Sequence, residues 1–529
     1  MVSPGFPGCD PGAVAASRPV MSSRTTGGAC ESPYITPPSS APHPTPGHDI
    51  LLLRRATRVC MGSKDSPERP AGAQPVSIGE LNRRATLKRG QPEAAARLRF
   101  DDIIVSEEYK SVCDLLAAGR PVVFVTGNAG TGKSTLIRYL RNVIEKQSVV
   151  LAPTGVAALN VEGATIHSFF HFPPRILDEE DIKLVRDRKL YRRLELLIID
   201  EVSMVRCDLM DGIDRFLRKN RGSSEPFGGV QLLLIGDLFQ LPPVVPRQEA
   251  DALKARGYAS PHFFSAFGLQ STSLVPVELT SVYRQEDPAF VDMLNRIRVG
   301  DGVDEVTAEL NRQCCGPGDV AADVTLTCTN NKADNVNSAE LRRLPTQEYT
   351  FTGSIEGRFS LDDDRLPSPI ELKLKENAHV MFTRNDDQHR WVNGSMGIVR
   401  EVSHLTILVE VVGQSSGLVY EVTPVTWETY RYSYDSATDR IVAEPVGTYT
   451  QYPLMLAWAV TIHKSQGKTM DNVLVDLGSG AFASGQAYVA LSRCRTLEGM
   501  RLARAIRPAD IICDPIVKRF YLALSGTPG

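Results

Sequence analysis

The chain has little of what marks several specialised classes of protein. Only 7% of its 529 residues are aromatic, and its formal net charge is −3. A charge this close to zero gives no overall argument for nucleic-acid binding, so any such binding must come from a local groove. The ten cysteines form no C-x-x-C pair and have no histidines at zinc spacing, which argues against a zinc site or a disulfide framework. We therefore expect reduced thiols and a cytoplasmic protein.

Long hydrophobic runs are also missing. None approaches the roughly 20 residues that span a bilayer, and the run at 454–462 ends at His463 and Lys464. We expect no membrane partner. Residues 1–95 are rich in Pro, Ser, Gly, Ala and Arg and show no helical or strand periodicity, which predicts a disordered extension. Its Arg and Ser with few acids also resemble an organelle transit peptide, and Met21 and Met61 allow a shorter product, so the sequence assigns no targeting signal.

One short stretch carries an explicit chemical signal. TGNAGTGKST, residues 126–135, fits G-x-x-x-x-G-K-[ST] and follows an apolar run that predicts a buried strand. Backbone N–H groups of such a loop surround phosphate oxygens, while Lys133 can reach the β- and γ-phosphates and Ser134 can ligate Mg²⁺. The loop alone indicates ATP or GTP without choosing between them. The predicted nucleotide-binding residues are Gly127, Asn128, Ala129, Gly130, Thr131, Gly132, Lys133, Ser134 and Thr135.

Apolar runs along the chain predict two α/β lobes. The first contains PVVFVTG, SVVLAPTG, LELLIIDE and VQLLLIGD, with a crossover helix at 209–217 and a charged helical insertion at 177–193. The second contains DVTLTCTN, AHVMFTRN, LMLAWAVTIHKSQG, NVLVDL and GQAYVALSR. Residues 397–452 alternate β-branched or aromatic residues with polar ones, which predicts a small antiparallel barrel or meander inserted in the second lobe. The expected bounds are 1–95 for the extension, 96–275 for the first lobe, 276–396 and 454–529 for the second lobe, and 397–453 for the barrel.

Polar residues at strand ends supply candidate catalytic groups. Asp200 can hold Mg²⁺, and Glu201 can orient and deprotonate an attacking water, although two acids after a strand can also be a solvated strand end. Gln240 lies after the next strand and can bind the γ-phosphate. Arg284 and Arg493 are candidates to stabilise charge on the transferring phosphoryl group. Each arginine alone would more often be a surface residue, and its value as a candidate comes from the order in which the motifs follow one another along the chain.

The ordered motifs resemble one family. GNAGTGKST, APTGVAALN with ATIHSFF, IIDEVSM, IGDLFQLPPV, LTSVYRQ, WVNGSMG, TIHKSQGKTMDNV and QAYVALSRCRTLEG together look like the PIF family of DNA helicases, named for petite integration frequency, in superfamily 1 group B. The resemblance covers roughly residues 100–505. It implies two RecA-like P-loop lobes with an inserted β-barrel, and an ATP- and Mg²⁺-dependent motor. The eukaryotic signature segment is not evident at 204–229, which favours a bacterial-type member.

The resemblance also implies DNA contacts. The side chains and backbone expected to meet single-stranded DNA are Thr154, Gly155, His167, Ser168, Phe169, Asn393, Gly394, His463, Lys464, Ser465 and Gln466. For His167 and Phe169 the alternative is packing in the core, and the Asn393-Gly394 pair is first of all a turn signal.

The resulting functional prediction is an ATP-dependent helicase that moves 5′ to 3′ on single-stranded DNA and opens duplexes, in repair, recombination or replication. Its expected partners are single-stranded and forked DNA, and it is expected to act as a monomer. Two alternatives stay open at this point. One is a single-stranded-DNA-stimulated ATPase that does not unwind, and the other is a P-loop ATPase unrelated to nucleic acid.

Overall fold

The computed structural model describes residues 105–285, 287–316, 322–359, 366–413 and 418–524. The extension predicted for residues 1–95 lies outside these ranges. The α-helices, in chain order, are α1 (Glu107–Ala117), α2 (Lys133–Val143), α3 (Gly155–Asn160), α4 (Ile166–Phe170), α5 (Lys189–Arg193), α6 (Cys207–Arg221), α7 (Arg247–Ala255), α8 (Phe267–Gln270), α9 (Pro288–Val299), α10 (Val303–Cys314), α11 (Asn330–Arg343), α12 (Gln486–Leu491) and α13 (Pro515–Leu524).

The strands follow the same chain order. They are β1 (Val122–Gly127), β2 (Ser148–Ala152), β3 (Ala164–Thr165), β4 (Leu196–Ile199), β5 (Gln231–Ile235), β6 (Leu274–Leu279), β7 (Val324–Thr327), β8 (Tyr349–Thr352), β9 (Ser354–Gly357), β10 (Glu371–Leu374), β11 (His379–Phe382), β12 (Met396–Val402), β13 (Ile407–Val411), β14 (Val419–Glu421), β15 (Val425–Asp435), β16 (Arg440–Gln451), β17 (Leu454–Leu456), β18 (Ala459–Thr461), β19 (Val473–Asp476) and β20 (Met500–Leu502).

The first lobe is a parallel sheet in the order β3-β2-β4-β5-β1-β6. Its central strands are buried on both faces, so their sequences are continuous apolar runs, as predicted. The crossover helix predicted at 209–217 is confirmed within α6. Because β6 pairs with β1 and runs to Leu279, the sheet extends past the predicted bound of 275.

The second lobe is a smaller parallel sheet in the order β18-β7-β19-β20. The run GQAYVALSR, one of the apolar runs expected in the second lobe, forms helix α12 and not a strand. All six residues of α12 are buried, so the helix lacks the polar face that would have distinguished it from a buried strand.

The insertion in the second lobe is antiparallel, as predicted. A five-stranded sheet has the order β14-β13-β12-β11-β17, and a three-stranded sheet has the order β15-β16-β9. Strands β9 and β11 come before residue 397, so the insertion draws on more of the chain than the predicted bounds include. The run AHVMFTRN, which was expected in the second α/β lobe, forms β11, and this strand pairs antiparallel with β12 and β17 of the insertion. Three of the four residues of β11 are buried, which gave it the apolar run of a parallel strand.

A long hairpin, β15 and β16, reaches from the insertion to the first lobe. At its far end the hydroxyl of Tyr432 accepts from Val150 N at 3.2 Å and lies 3.3 Å from Val150 O. The side chain of Gln147 accepts from Ile441 N at 2.8 Å. These contacts tie the hairpin to β2 and its preceding turn, so the insertion and the first lobe form the two walls of a groove.

The charged stretch at 177–193 is helical only in part. It contains a single 3-10 turn at Glu179–Asp181 and the short helix α5, and the residues between them are irregular. Among the described helices, none is long and apolar enough to cross a membrane.

Candidate functional site

The glycine-rich loop within TGNAGTGKST, residues 126–135, joins the end of β1 to the start of α2 and is called the phosphate-type loop below. Gly127, Gly130 and Gly132 have φ angles of 153°, 84° and 86°, which side chains rarely adopt. A Cβ on Gly130 would lie 2.5 Å from the Cβ of Arg284, so a side chain at position 130 would collide with Arg284. The glycines therefore serve both the turn and the close approach of residue 284.

Protein atoms already contact the polar groups of this loop. The ammonium of Lys133 donates to Gly127 O and Asn128 O, both at 2.8 Å. Burial lowers the pKa of Lys133, and the nearby carboxylates act in the opposite direction. The amide of Ala129 donates to the hydroxyl of Tyr488, on α12, at 3.1 Å. A bound phosphate would compete with these contacts for the same donors.

The two predicted carboxylates follow β4, where Asp200 is buried and Glu201 is half-buried. Burial, followed by the charge of Glu201, raises the pKa of Asp200, and burial is also the main cause that raises the pKa of Glu201. Glu201 has a positive φ of 48°, an uncommon conformation for a residue with a side chain. Ser134 is exposed at the start of α2. Ser134, Asp200 and Glu201 line the same groove, and their oxygen atoms are the kind of ligand that a divalent cation such as Mg²⁺ takes.

The loop after β5 lies between the lobes. The side-chain amide of Gln240 donates to Asp237 Oδ2 at 3.2 Å, and both residues are buried. Gln466, from the second lobe, donates to Gln240 Oε1 at 3.3 Å and to Glu201 Oε2 at 3.1 Å. Three segments far apart in the sequence therefore meet at one hydrogen-bonded group.

Arg284 and Arg493 come together, although 208 residues separate them. Burial lowers the pKa of Arg284 to about 10, and burial together with the charge of Arg284 lowers the pKa of Arg493 to about 9. Arg284 donates to Ser492 O at 3.4 Å and Gly467 O at 3.2 Å. Arg493 donates to Val489 O at 2.8 Å. Among the described residues neither forms an ion pair, so an anion is the partner that this pair of charges fits.

Several residues of the site were missed by sequence reasoning. Tyr488 and Asn295 contact the phosphate-type loop, since Asn295 Oδ1 accepts from the side chain of Asn128 at 2.7 Å. Arg298 is buried and ion-paired with Asp237. Asn295 and Arg298 lie three positions apart on α9, beside its buried apolar residues. Polar residues next to the apolar face of an amphipathic helix were the available signal.

The groove between the first lobe and the insertion has a volume of about 1990 Å³. Its lining includes Ser134, Asp200 and Glu201, so it is continuous with the candidate nucleotide site. The predicted DNA contacts that line it are Thr154, Gly155, His167, Asn393, His463, Lys464 and Gln466. These residues come from both lobes and the insertion, and the fold places them along one path.

Other predicted DNA contacts are placed differently. Phe169 is 6% exposed and packs edge-on against Phe170, Tyr191 and Tyr432 at ring-centroid distances of 4.8, 5.4 and 5.9 Å. The ring therefore lies in the apolar core of the first lobe, the packing given above as the alternative to stacking on a base, and a contact between Phe169 and DNA stays a prediction.

The side chain of Ser465 also lies away from the groove. Its side chain is fully buried and donates to Ile462 O at 2.8 Å, so it shapes the loop after β18 instead of facing the groove. Ser168 is exposed, and its hydroxyl donates to Thr165 O at 2.9 Å. Gly394 is buried with φ of 100°, and a Cβ there would lie 2.8 Å from the Cβ of Lys468. Gly394 therefore allows the turn after Asn393 to pack on the segment that contains Lys464.

Comparisons with known proteins agree with this geometry. Residues 104–308 match the family model of the PIF1-like helicases. The ATP-dependent DNA helicase PIF1 of Homo sapiens is 34% identical over 491 residues, which cover 90% of this chain and 70% of that protein. The ATP-dependent DNA helicase Pif1 of Bdellovibrio bacteriovorus is 33% identical over 83% of this chain and 96% of its own length.

Solved structures give the same result. Pif1 from Bacteroides sp in complex with ADP-AlF4 is 36% identical, with a TM-score of 0.74 over 80% of this chain and 98% of that chain. Bacteroides Pif1 bound to single-stranded DNA has the same identity and coverage, with a TM-score of 0.58. The chain therefore belongs to the PIF1-like helicases, an enzyme family of ATP-dependent DNA helicases.

Proposed function

We propose that the chain hydrolyses ATP to move 5′ to 3′ along single-stranded DNA and to separate duplex strands. Gln466 carries this proposal. Its side-chain amide donates to Glu201 and Gln240, and the same residue lines the groove. A motor needs a physical connection between its hydrolysis site and its track, and one side chain that touches both supplies it.

The nucleotide site supports hydrolysis by named groups. The glycine loop and Lys133 hold the phosphates, and Arg284 and Arg493 stabilise the charge that develops on the γ-phosphoryl group. Glu201 accepts the proton of the attacking water. Mg²⁺, which Ser134 and Asp200 would hold, neutralises phosphate charge when it is bound. Gln240 distinguishes the triphosphate from the diphosphate through its amide.

The nucleobase has a candidate partner in Tyr283. Its side chain is 56% exposed, and one ring carbon lies 3.9 Å from the position of a Cβ on Gly132. We propose that this ring stacks on the base. Stacking uses the face of the ring and reads no base edge, so this contact by itself gives little preference for adenine over guanine.

The groove is the proposed DNA path. Thr154, Gly155 and His167 form part of one wall, whereas Asn393 lies in the insertion and Lys464 follows β18. Contacts of this kind to phosphates give affinity without sequence preference. Bacteroides Pif1 has been solved bound to single-stranded DNA, and another similar structure concerns DNA unwinding at forked double-stranded DNA by two coordinating Pif1 helicases, which supports the same partners here.

The test measures ATP hydrolysis with and without single-stranded DNA, beside unwinding of duplexes that carry a 5′ or a 3′ overhang. We expect strong stimulation and opening from the 5′ overhang alone. Gln466→Ala should reduce the stimulation by DNA, because it removes the shared contact. Arg493→Ala should bind ATP and lose hydrolysis, and an active Arg493→Ala enzyme would remove its proposed role.

Other outcomes have definite meanings. Stimulation without strand opening would leave a DNA-dependent translocase, and opening from the 3′ overhang would reverse the proposed direction. Loss of all DNA effects would contradict the proposal.

We further propose that the protein acts in DNA repair, recombination or replication. We expect it to act in the cytoplasm and as a monomer. The described cysteines are free, which suits a reducing compartment. Sedimentation with and without forked DNA tests the monomer.

A further inference from the structure

The C-terminal helix α13 leaves the second lobe and packs on the first. The ring of Phe520 stacks on Phe264 at a centroid distance of 4.0 Å, and the hydroxyl of Tyr521 donates to Glu278 Oε1 at 2.7 Å. Val517 lies in the apolar core of the first lobe. The helix thus places the ring of Tyr521 at a defined position between the lobes.

Arg298 is the residue that meets this ring. It extends from α9, whose apolar residues Phe290, Leu294 and Ile297 lie in the core of the second lobe. Its guanidinium carbon is 5.2 Å from the centroid of Tyr521 and 4.6 Å from that of Phe239, which belongs to the first lobe. Both distances fall within the range of cation–π attraction.

The same guanidinium forms an ion pair across the lobes. Its Nε and Nη2 atoms are each 3.1 Å from Asp237 Oδ1, and both residues are almost fully buried. Asp237 in turn accepts from Gln240 through its other oxygen at 3.2 Å. Gln240 continues to Gln466, which contacts Glu201. Arg298 therefore stands at one end of a chain of hydrogen bonds that ends at the proposed catalytic carboxylate.

A fully buried ion pair is not explained by stability alone. Desolvation of the two charges offsets their attraction, and apolar residues of similar volume often give equal stability. The fork of an arginine does supply fixed geometry, since its donors are held in a plane. The arrangement is therefore suited to orienting the carboxylate of Asp237 and the amide that hydrogen-bonds to it.

We propose that Arg298 is a positioning residue for ATP hydrolysis, which holds Asp237 and through it the Gln240 amide, and that Tyr521 on the C-terminal helix fixes Arg298. This inference rests on the proposed function, because it takes Gln240 as the group that contacts the γ-phosphate. It assigns the C-terminal helix to the hydrolysis machinery, although no catalytic residue lies on that helix.

The test compares Arg298→Ala and Arg298→Lys with Arg296→Ala. Arg296 is on the same helix, with a half-buried side chain that pairs with Glu305, so it serves as the matched control. For Arg298→Ala we expect kcat to fall by about tenfold or more, the loss typical of removing a hydrogen bond to a charged group. We expect partial rescue by Arg298→Lys and wild-type turnover in the control.

Binding measurements separate positioning from simple loosening of the fold. ADP has no γ-phosphate, so Arg298→Ala should keep the wild-type Kd for ADP and bind a non-hydrolysable ATP analogue more weakly. A merely structural defect would weaken both ligands equally, and thermal unfolding reports the folded fraction. Equal weakening of both ligands, or unchanged kcat, would overturn the inference.

Four further variants test the contacts on either side of Arg298. Asp237→Asn and the double variant Asp237→Asn with Arg298→Ala should have the same kcat, because Arg298 acts through Asp237. Tyr521→Leu should lower kcat, and Tyr521→Phe, which keeps the ring and loses only the hydroxyl bonded to Glu278, should lower kcat less than Tyr521→Leu. Additive losses, or full activity of Tyr521→Leu, would contradict the scheme.

Failure of the proposed function has a different signature. A wild-type protein that binds ATP and ADP equally and does not turn over ATP would remove both proposals. A wild-type protein that hydrolyses ATP, together with unaffected Arg298 variants, would remove this one alone.

Discussion

Replacing Phe169 by leucine should destabilise the folded protein without lowering its affinity for single-stranded DNA. The ring is buried and makes edge-on contacts with Phe170, Tyr191 and Tyr432. Phe→Ala in a core costs about 3–5 kcal/mol, a large part of a typical stability of about 5–15 kcal/mol, so leucine is the safer change. Leucine keeps most of the volume and loses the ring contacts, each worth about 0.5–1.5 kcal/mol and not fully additive. We expect a loss of about 2 kcal/mol in the free energy of unfolding.

Urea unfolding and fluorescence anisotropy with a labelled single strand measure the two effects. Phe170→Leu is the matched control, because Phe170 is buried in the same aromatic cluster. Both variants should lose stability and keep the wild-type Kd for DNA within about twofold, since neither ring offers a face to a base. A base stacked on Phe169 would instead contribute about 1–3 kcal/mol to binding. Normal stability with binding weakened about tenfold, as that energy requires, would refute the assignment of Phe169 to the core.

Three other predictions follow from individual contacts. Tyr488→Phe removes the hydroxyl that accepts a hydrogen bond from Ala129 N, a bond worth about 1 kcal/mol. Because this frees the N–H group for a phosphate oxygen, ADP should bind about fivefold more tightly in titration calorimetry. Weaker binding would mean that the hydroxyl contacts the phosphate itself. Glu201→Gln should abolish hydrolysis and raise the stability of the nucleotide-free protein at neutral pH. Burial raises the pKa of Glu201 in the folded protein, so ionisation of Glu201 lowers the free energy of unfolding as pH rises above about 4.3, the pKa of a glutamate in the unfolded chain. In urea unfolding from pH 4 to 8, the free energy of unfolding of the variant should therefore increase relative to that of wild type. Lys464→Ala should lower the slope of log Kd against log salt for single-stranded DNA by about 1 if Lys464 contacts a phosphate, and an unchanged slope would exclude that contact.

The sequence was most informative where an apolar run meets a polar turn. The strands that precede Gly127, Asp200 and Asp237 were predicted correctly, because strands buried on both faces have an unmistakable composition. The same rule failed for β11 and α12, since burial on all sides removes the periodicity that separates a parallel strand from an antiparallel strand or a helix.

By itself, the sequence determined the local chemistry of this protein: the glycine loop, the carboxylates after β4 and the family to which these motifs belong. Such features depend on residues that are neighbours in the chain, so spacing is enough to recognise them. Only the tertiary structure decided which distant residues meet, such as Gln466 with Glu201, 265 positions apart, and Arg298 with Asp237. It also decided that Phe169 faces the core and His167 the groove, because the side on which a residue of a short helix is buried depends on what packs against it.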